Sequence, residues 1–104
     1  MHVQVVTFGL NGITEEQYHQ TCDGATATFA ALPGLLSKTW LRNADANTYG
    51  GVYLWRDRES YEDYVKGEVF KSIQNDPSLV NVASNDFDVF EDLTKATQPV
   101  LSIV

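Results

Sequence analysis

Cysteine is nearly absent from this chain. Cys22 stands alone, so no disulfide can close within it, and a reducing, cytoplasmic setting is expected. Basic residues are scarce as well: seven Lys and Arg stand against fourteen Asp and Glu, and a net charge of −7 repels phosphate backbones and anionic lipid. Neither nucleic acid nor a membrane is an expected partner. No apolar run approaches the roughly 20 residues that cross a bilayer, and the chain enters a strand pattern at once, without a basic stretch and apolar signal core. Potential metal ligands are few, since only His2, His19, Cys22 and scattered carboxylates could serve; the His19, Cys22, Asp23 spacing on one helix is a weak motif, and no metal and no other cofactor is expected. A Gly-rich phosphate loop, a Ser-His-Asp order and a nucleotide motif are all missing, which counts against hydrolase, kinase and dehydrogenase chemistry.

What the chain does have is the material of one domain: 104 residues, 43% hydrophobic, without repeats or low-complexity tracts. His2 to Leu10 reads as a strand rich in Val and Phe, ended by Asn11-Gly12. Thr14 and Gln17 form a capping box, Glu15 and Glu16 sit where the helix dipole favours negative charge, and Tyr18, Cys22, Ala25 and Phe29 fall on one buried face. Cys22 within that stripe reads as a small buried hydrophobe. Pro33-Gly34 stops the helix. Leu35 to Asn43, a turn at Asp45 to Thr48, and Tyr49 to Arg56 then make a β-hairpin. Asp57 or Ser60 caps a second helix carrying Tyr61, Tyr64, Val65, Val69 and Ile73 inward, and Pro77 ends that segment. Val80 to Glu91 reads as a last strand, and the tail to Val104 closes with an apolar VLSIV that could add an edge strand or an arm.

The order is βαββαβ, a ferredoxin-like α+β fold with a four-stranded antiparallel sheet and both helices on one face. The strands are nonetheless apolar on both faces, as Val5 beside Val6, Trp40 beside Leu41 and Tyr53 beside Leu54 show. A second copy is the simplest cover for the other face, so a homodimer is expected.

Pro33-Gly34-Leu35, Lys38, Trp40, Asn43, the run Gly50-Gly51-Val52-Tyr53-Leu54, Tyr64 and Phe87-Asp88-Val89 occur in an order and spacing that resemble the YdhR family of monooxygenases. The likeness runs from the first strand to about Leu93. It implies a dimeric α+β barrel in which two sheets pack face to face and each protomer keeps a pocket between sheet and helices. For activity it implies likeness to cofactor-free quinol and anthrone oxygenases, on a scaffold that also serves haem degradation, isomerisation, ring closure and ligand binding. One departure stands out: members often carry a histidine where this chain has Glu68, so no role of that histidine transfers unchanged.

Three residues are candidates for proton transfer. Lys38 shares its strand face with Leu36 and Trp40, so its head either enters an aromatic pocket, where burial lowers its pKa and makes it a base, or snorkels to water or a carboxylate. Helical spacing places Glu68 on the inner face of the second helix, as a base or as the ion-pair partner of Lys38 or Arg42, unless Gly67 breaks the helix and turns Glu68 to solvent. His19 lies at the margin of the first helix's buried stripe, with Asp23 one turn on to hold its ring. Trp40, Tyr53 and Tyr64, with Tyr61, Tyr18 and Trp55 around them, could stack on a flat ring, although aromatics facing helices are usually core. Gly50-Gly51 is either a bulge or the place where a side chain would block that ring. The readings that follow are an oxygenase acting on a small aromatic (a hydroquinone, anthrone or polyketide-type phenol), a cyclase or isomerase using the same pocket and base, or a non-catalytic binding or accessory protein.

Overall fold

The computed structural model describes residues 1–98. In chain order it holds β1 (His2–Leu10), α1 (Glu15–Ala30), β2 (Leu35–Asn43), β3 (Thr48–Trp55), α2 (Arg58–Lys66), α3 (Glu68–Asn75), β4 (Leu79–Asp88) and α4 (Glu91–Thr97). The strands form one antiparallel sheet in the order β2-β3-β1-β4, which is the ferredoxin-like arrangement. No helix among the described residues is long and apolar enough to cross a membrane.

Local chemistry sets the element ends. Thr14 Oγ1 accepts the Gln17 amide at 3.1 Å while Gln17 Oε1 accepts the Thr14 amide at 2.9 Å, so two orphan donors at the start of α1 are satisfied reciprocally. After α1 the chain turns at Gly34, whose φ of +79° suits glycine and where a side chain would run into Ser60. Asp57, of the two expected caps, is the one that acts: its Oδ1 accepts the Ser60 amide at 2.8 Å and the Ser60 hydroxyl at 2.7 Å.

Two expected elements differ. The second helix is two, because Gly67 adopts an extended conformation (φ −87°, ψ 171°) that ends α2 and caps α3. The break re-aims the following turn, so that Phe70 is buried and Glu68 faces solvent. The last strand stops at Asp88 rather than running to Glu91, and α4 follows; Glu91 and Asp92 in its first turn favour a helix start where the preceding Phe87, Val89 and Phe90 had suggested continued strand. Residues 99–104, including the VLSIV segment, lie outside the described residues.

Alternation decides which face each strand residue meets. His2, Gln4, Val6 and Phe8 of β1, with Tyr49, Tyr53 and Trp55 of β3, are buried beneath α1, α2 and α3. Trp55 and Tyr53 stack at 5.9 Å with rings 7° apart, and Tyr64 and Phe70 close over them. Full burial of side chains of this kind contributes roughly 1.5–3 kcal/mol each. The polar residues of this face are paired: Trp55 Nε1 donates to Gln4 Oε1 at 3.1 Å, and Gln4 Nε2 donates to Ser84 Oγ at 3.0 Å. His2 sits between two carboxylates, Nε2 at 2.7 Å from Asp86 and Nδ1 at 3.0 Å from Asp88, and Tyr61 donates to Asp86 at 3.0 Å. On the opposite face Val3, Val5, Val52 and Leu54 are only half-buried and Phe87 is 56% exposed. A groove of about 560 Å³ between that face and α4 is lined by Val3, Leu54, Phe87 and Leu93.

Candidate active site

A cavity of about 510 Å³ lies between the sheet, α1 and α3. Its floor is Phe8, Lys38, Trp40 and Tyr53; Tyr18, Cys22 and Phe29 wall it from α1, and Val69 and Ile73 from α3. The spacing that put Tyr18, Cys22 and Phe29 on one helix face thus aims them at this space.

Lys38 is the charged group on the floor. Its Nζ lies 3.4 Å from the ring centroid of Phe29, 3.5 Å from that of Trp40 and 4.7 Å from that of Tyr53. None of the ion pairs among the described residues includes it. Burial pulls the ammonium down to about 7, opposed by the nearby Cys22 thiol, while the three ring faces favour the charged form. Burial thus weakens the usual hold of the lysine on its proton, and the rings offset part of that. Its stem is accommodated by a missing side chain: a Cβ at Gly51, opposite Trp40 on β3, would stand 2.8 Å from Lys38 Cε. Gly50 answers a separate need, since at φ +147° a side chain there would strike the Val6 carbonyl of β1.

Two phenols also face the cavity, and both are held neutral. Tyr53, 1% exposed and paired with Lys38 across the hairpin, accepts the Tyr64 hydroxyl at 3.2 Å, and its own ionisation is pushed far up by burial and by Tyr64. Tyr18 is pushed up by burial and by its hydrogen bond with Cys22. Such groups donate hydrogen bonds and do not act as bases at neutral pH.

The remaining candidates go elsewhere. Glu68 is 93% exposed at its side chain and lies 3.7 Å from Lys71, so it meets neither Lys38 nor Arg42. His19 is exposed and lines a second cavity, about 360 Å³, at the β2 side of α1, together with Asp23, Glu15, Arg42 and Tyr49. There Arg42 holds Glu15 through two hydrogen bonds of 3.2 and 2.8 Å, Tyr49 donates to the same carboxylate at 2.9 Å, and Arg42 first, then Tyr49, lowers the Glu15 pKa. Tyr18, Cys22 and Trp40 border both cavities. Tyr64, Tyr61 and Trp55 line neither: Tyr64 buttresses Tyr53 and is pushed up to about 12 by burial, Tyr61 serves Asp86, and Trp55 is wholly buried. Sequence reading did not anticipate Phe29 as a ring on the ammonium, Cys22 as cavity wall or Gly51 as room for the lysine stem. The helical period did signal that Phe29 and Cys22 face inward, but nothing in the sequence measures what a glycine leaves open. Among the described residues no group of three or more His, Cys, Asp or Glu is placed to hold a metal ion.

No curated protein matches the chain in sequence. Solved structures share its fold. The haem-degrader MhuD of Mycobacterium tuberculosis, solved with two haems in its active site, is 15% identical with a TM-score of 0.69, covering 86% of this chain and 96% of its own. SnoaB, a cofactor-independent oxygenase from Streptomyces nogalater, is 21% identical with a TM-score of 0.67, covering 85% and 91%. The NE2512 protein of Nitrosomonas europaea, described as of unknown function, is 13% identical with a TM-score of 0.70, covering 86% and 88%. At these identities the likeness is one of fold. The family model described as "Putative mono-oxygenase ydhR" matches residues 3–100, nearly the whole sequence, and the chain belongs to that family.

Proposed function

We propose that this chain is a monooxygenase that works without a prosthetic group on a small electron-rich aromatic (a hydroquinone, anthrone or polyketide-type phenol) held between the sheet and its helices. The observation that carries this reading is the Lys38 ammonium, set among Phe29, Trp40 and Tyr53 on the cavity floor with no ion-pair partner among the described residues, Asp76 being the one carboxylate in the lining. Such a site suits a flat ring that becomes an anion. An acidic O–H or benzylic C–H of the substrate gives its proton to the Lys38 amine, and the resulting ammonium remains as the counter-ion. The anion passes an electron to dioxygen, the two radicals join in a C–O bond, and the peroxide loses water to leave a carbonyl. One oxygen atom ends in the product and one in water, and the substrate supplies all four electrons. Tyr53 and Tyr18 donate hydrogen bonds to the substrate oxygens.

The test is to incubate the protein with a panel of hydroquinones and anthrones under air and under argon, following product by mass spectrometry. Product that gains oxygen in air, and is lost in Lys38→Met, is the expected result. Product formed equally under argon would replace the oxygenase by a cyclase or isomerase, and binding without product would make the chain a carrier.

We also propose that two copies pack through the open sheet face. Val3, Val5, Val52, Leu54 and the exposed Phe87 form an apolar surface that α1, α2 and α3 leave uncovered, and Phe90 and Leu93, 76% and 61% exposed, extend it. Light scattering at micromolar concentration should give the mass of a dimer.

A further inference from the structure

We propose that Lys38 is also an imine-forming nucleophile, and that the same cavity takes an aryl aldehyde or aryl ketone as a reversible covalent ligand. This chemistry consumes no dioxygen and stands apart from the oxygenase reading. Its support is geometric. An amine adds to a carbonyl only through a free lone pair, and Lys38 has no carboxylate among the described residues to hold it as a fixed ammonium, whereas Lys71 lies beside Glu68 at 3.7 Å. The ring faces of Phe29 and Trp40, 3.4 and 3.5 Å from Nζ, attract a cation there. A protonated aryl imine is such a cation, spread over a flat group that can lie against the same rings. The adjoining 510 Å³ cavity offers that aryl group space, and Gly51 lets the lysine stem lie along the sheet so that Nζ stays on the floor. Burial lowers the Lys38 pKa to about 7, which favours the free amine more than at an exposed lysine.

The steps balance without an oxidant or reductant. The Nζ lone pair forms a bond to the carbonyl carbon, the C=O π pair moves to oxygen, and proton transfer from nitrogen to oxygen gives a carbinolamine. Loss of water breaks the C–O bond and leaves the C=N bond. The neutral Tyr53 hydroxyl, whose ring lies 4.7 Å from Nζ, is the donor the cavity offers to the departing oxygen.

The experiment treats the intact wild-type protein at pH 7 with benzaldehyde and sodium cyanoborohydride, which reduces any iminium to a stable benzylamine, and reads each lysine by peptide mass spectrometry. A parallel reaction uses formaldehyde. Lys38 should be benzylated roughly tenfold or more faster than the exposed Lys66, Lys71 and Lys95. Benzylation of Lys38 at or below the rate of those three overturns the proposal. Preference for Lys38 with formaldehyde alone overturns it too, since the cavity then refuses the aryl group. Oxygen uptake with a hydroquinone, measured on the same preparation, keeps the outcomes separate: oxygenation without benzylation removes the imine chemistry and leaves the oxygenase standing.

Discussion

Replacing Lys38 by Met should abolish turnover and make the protein more stable. In the folded chain burial holds the lysine at about 7, whereas unfolding returns it to the ordinary lysine value of 10.5. A depressed folded pKa means that the unfolded chain binds more protons between those two values. Wild-type stability therefore rises with pH across that window and is lower below it. From pH 7 to pH 9 the linkage reaches at most about 2.3 kcal/mol, at 1.36 kcal/mol per unit. Solvent reaches part of the side chain, and the rings attract the cation, so about 1 kcal/mol is the expected change. Methionine fills much of the same volume without a charge. Urea unfolding of both proteins at pH 7, 8 and 9 measures the difference. Lys38→Met should be more stable at pH 7 by ~1–3 kcal/mol, with the gap narrowing as pH rises. A variant less stable than wild type at pH 7, or a gap that does not change with pH, would refute the claim that an unpaired charge is buried here.

Gly51→Ala should keep the fold at a cost of about 1–3 kcal/mol and lower turnover roughly tenfold or more, because its Cβ, 2.8 Å from Cε, displaces the lysine that remains; kinetics and denaturation on one preparation check both. His2→Ala should destabilise by about 2–4 kcal/mol, since it empties a buried site and strips Asp86 and Asp88 of a shared partner; thermal unfolding reads it. Asp86, whose carboxyl is held low by His2 first and then Tyr61, contributes stability that is present above the usual carboxylate pKa and lost as pH falls through its lowered value, so Asp86→Asn should flatten the acid limb of a stability profile. Glu68→Gln should leave turnover unchanged, because that side chain faces water.

Much of the fold was legible because local signals agreed with the tertiary outcome. The Thr14–Gln17 box, the hairpin turn and the Tyr18, Cys22, Ala25, Phe29 stripe each act within a few residues, and the structure uses all of them. What stayed open or escaped depended on distant partners. The break at Gly67 was one of two readings open in the sequence, and the structure takes it: the extended conformation there seats both Tyr64 and Phe70 in the core and turns Glu68 to solvent. The sequence pattern also marked His2 and Gln4 as unremarkable members of a Val-rich strand, yet they are buried because Asp86, Asp88, Ser84 and Trp55 arrive from other strands to satisfy them. Within the site, Lys38 among aromatics was visible from strand alternation and the exposure of Glu68 from the chance of a break at Gly67, while the placing of His19 in a different cavity depends on how α1 is rotated over the sheet, which spacing alone does not fix.

The contact between Gly51 and the lysine stem ties two positions on neighbouring strands into one mutational unit. A methyl group at 51 conflicts chiefly with the Cε methylene of Lys38, its contacts with Tyr53 and the Thr39 carbonyl being longer at 3.3 and 3.4 Å, so the two substitutions should be non-additive: more harmful singly at 51 than when 38 has already been shortened. Divergence of this scaffold away from lysine chemistry would then proceed in a fixed order, with position 38 changing first and position 51 only afterwards free to drift.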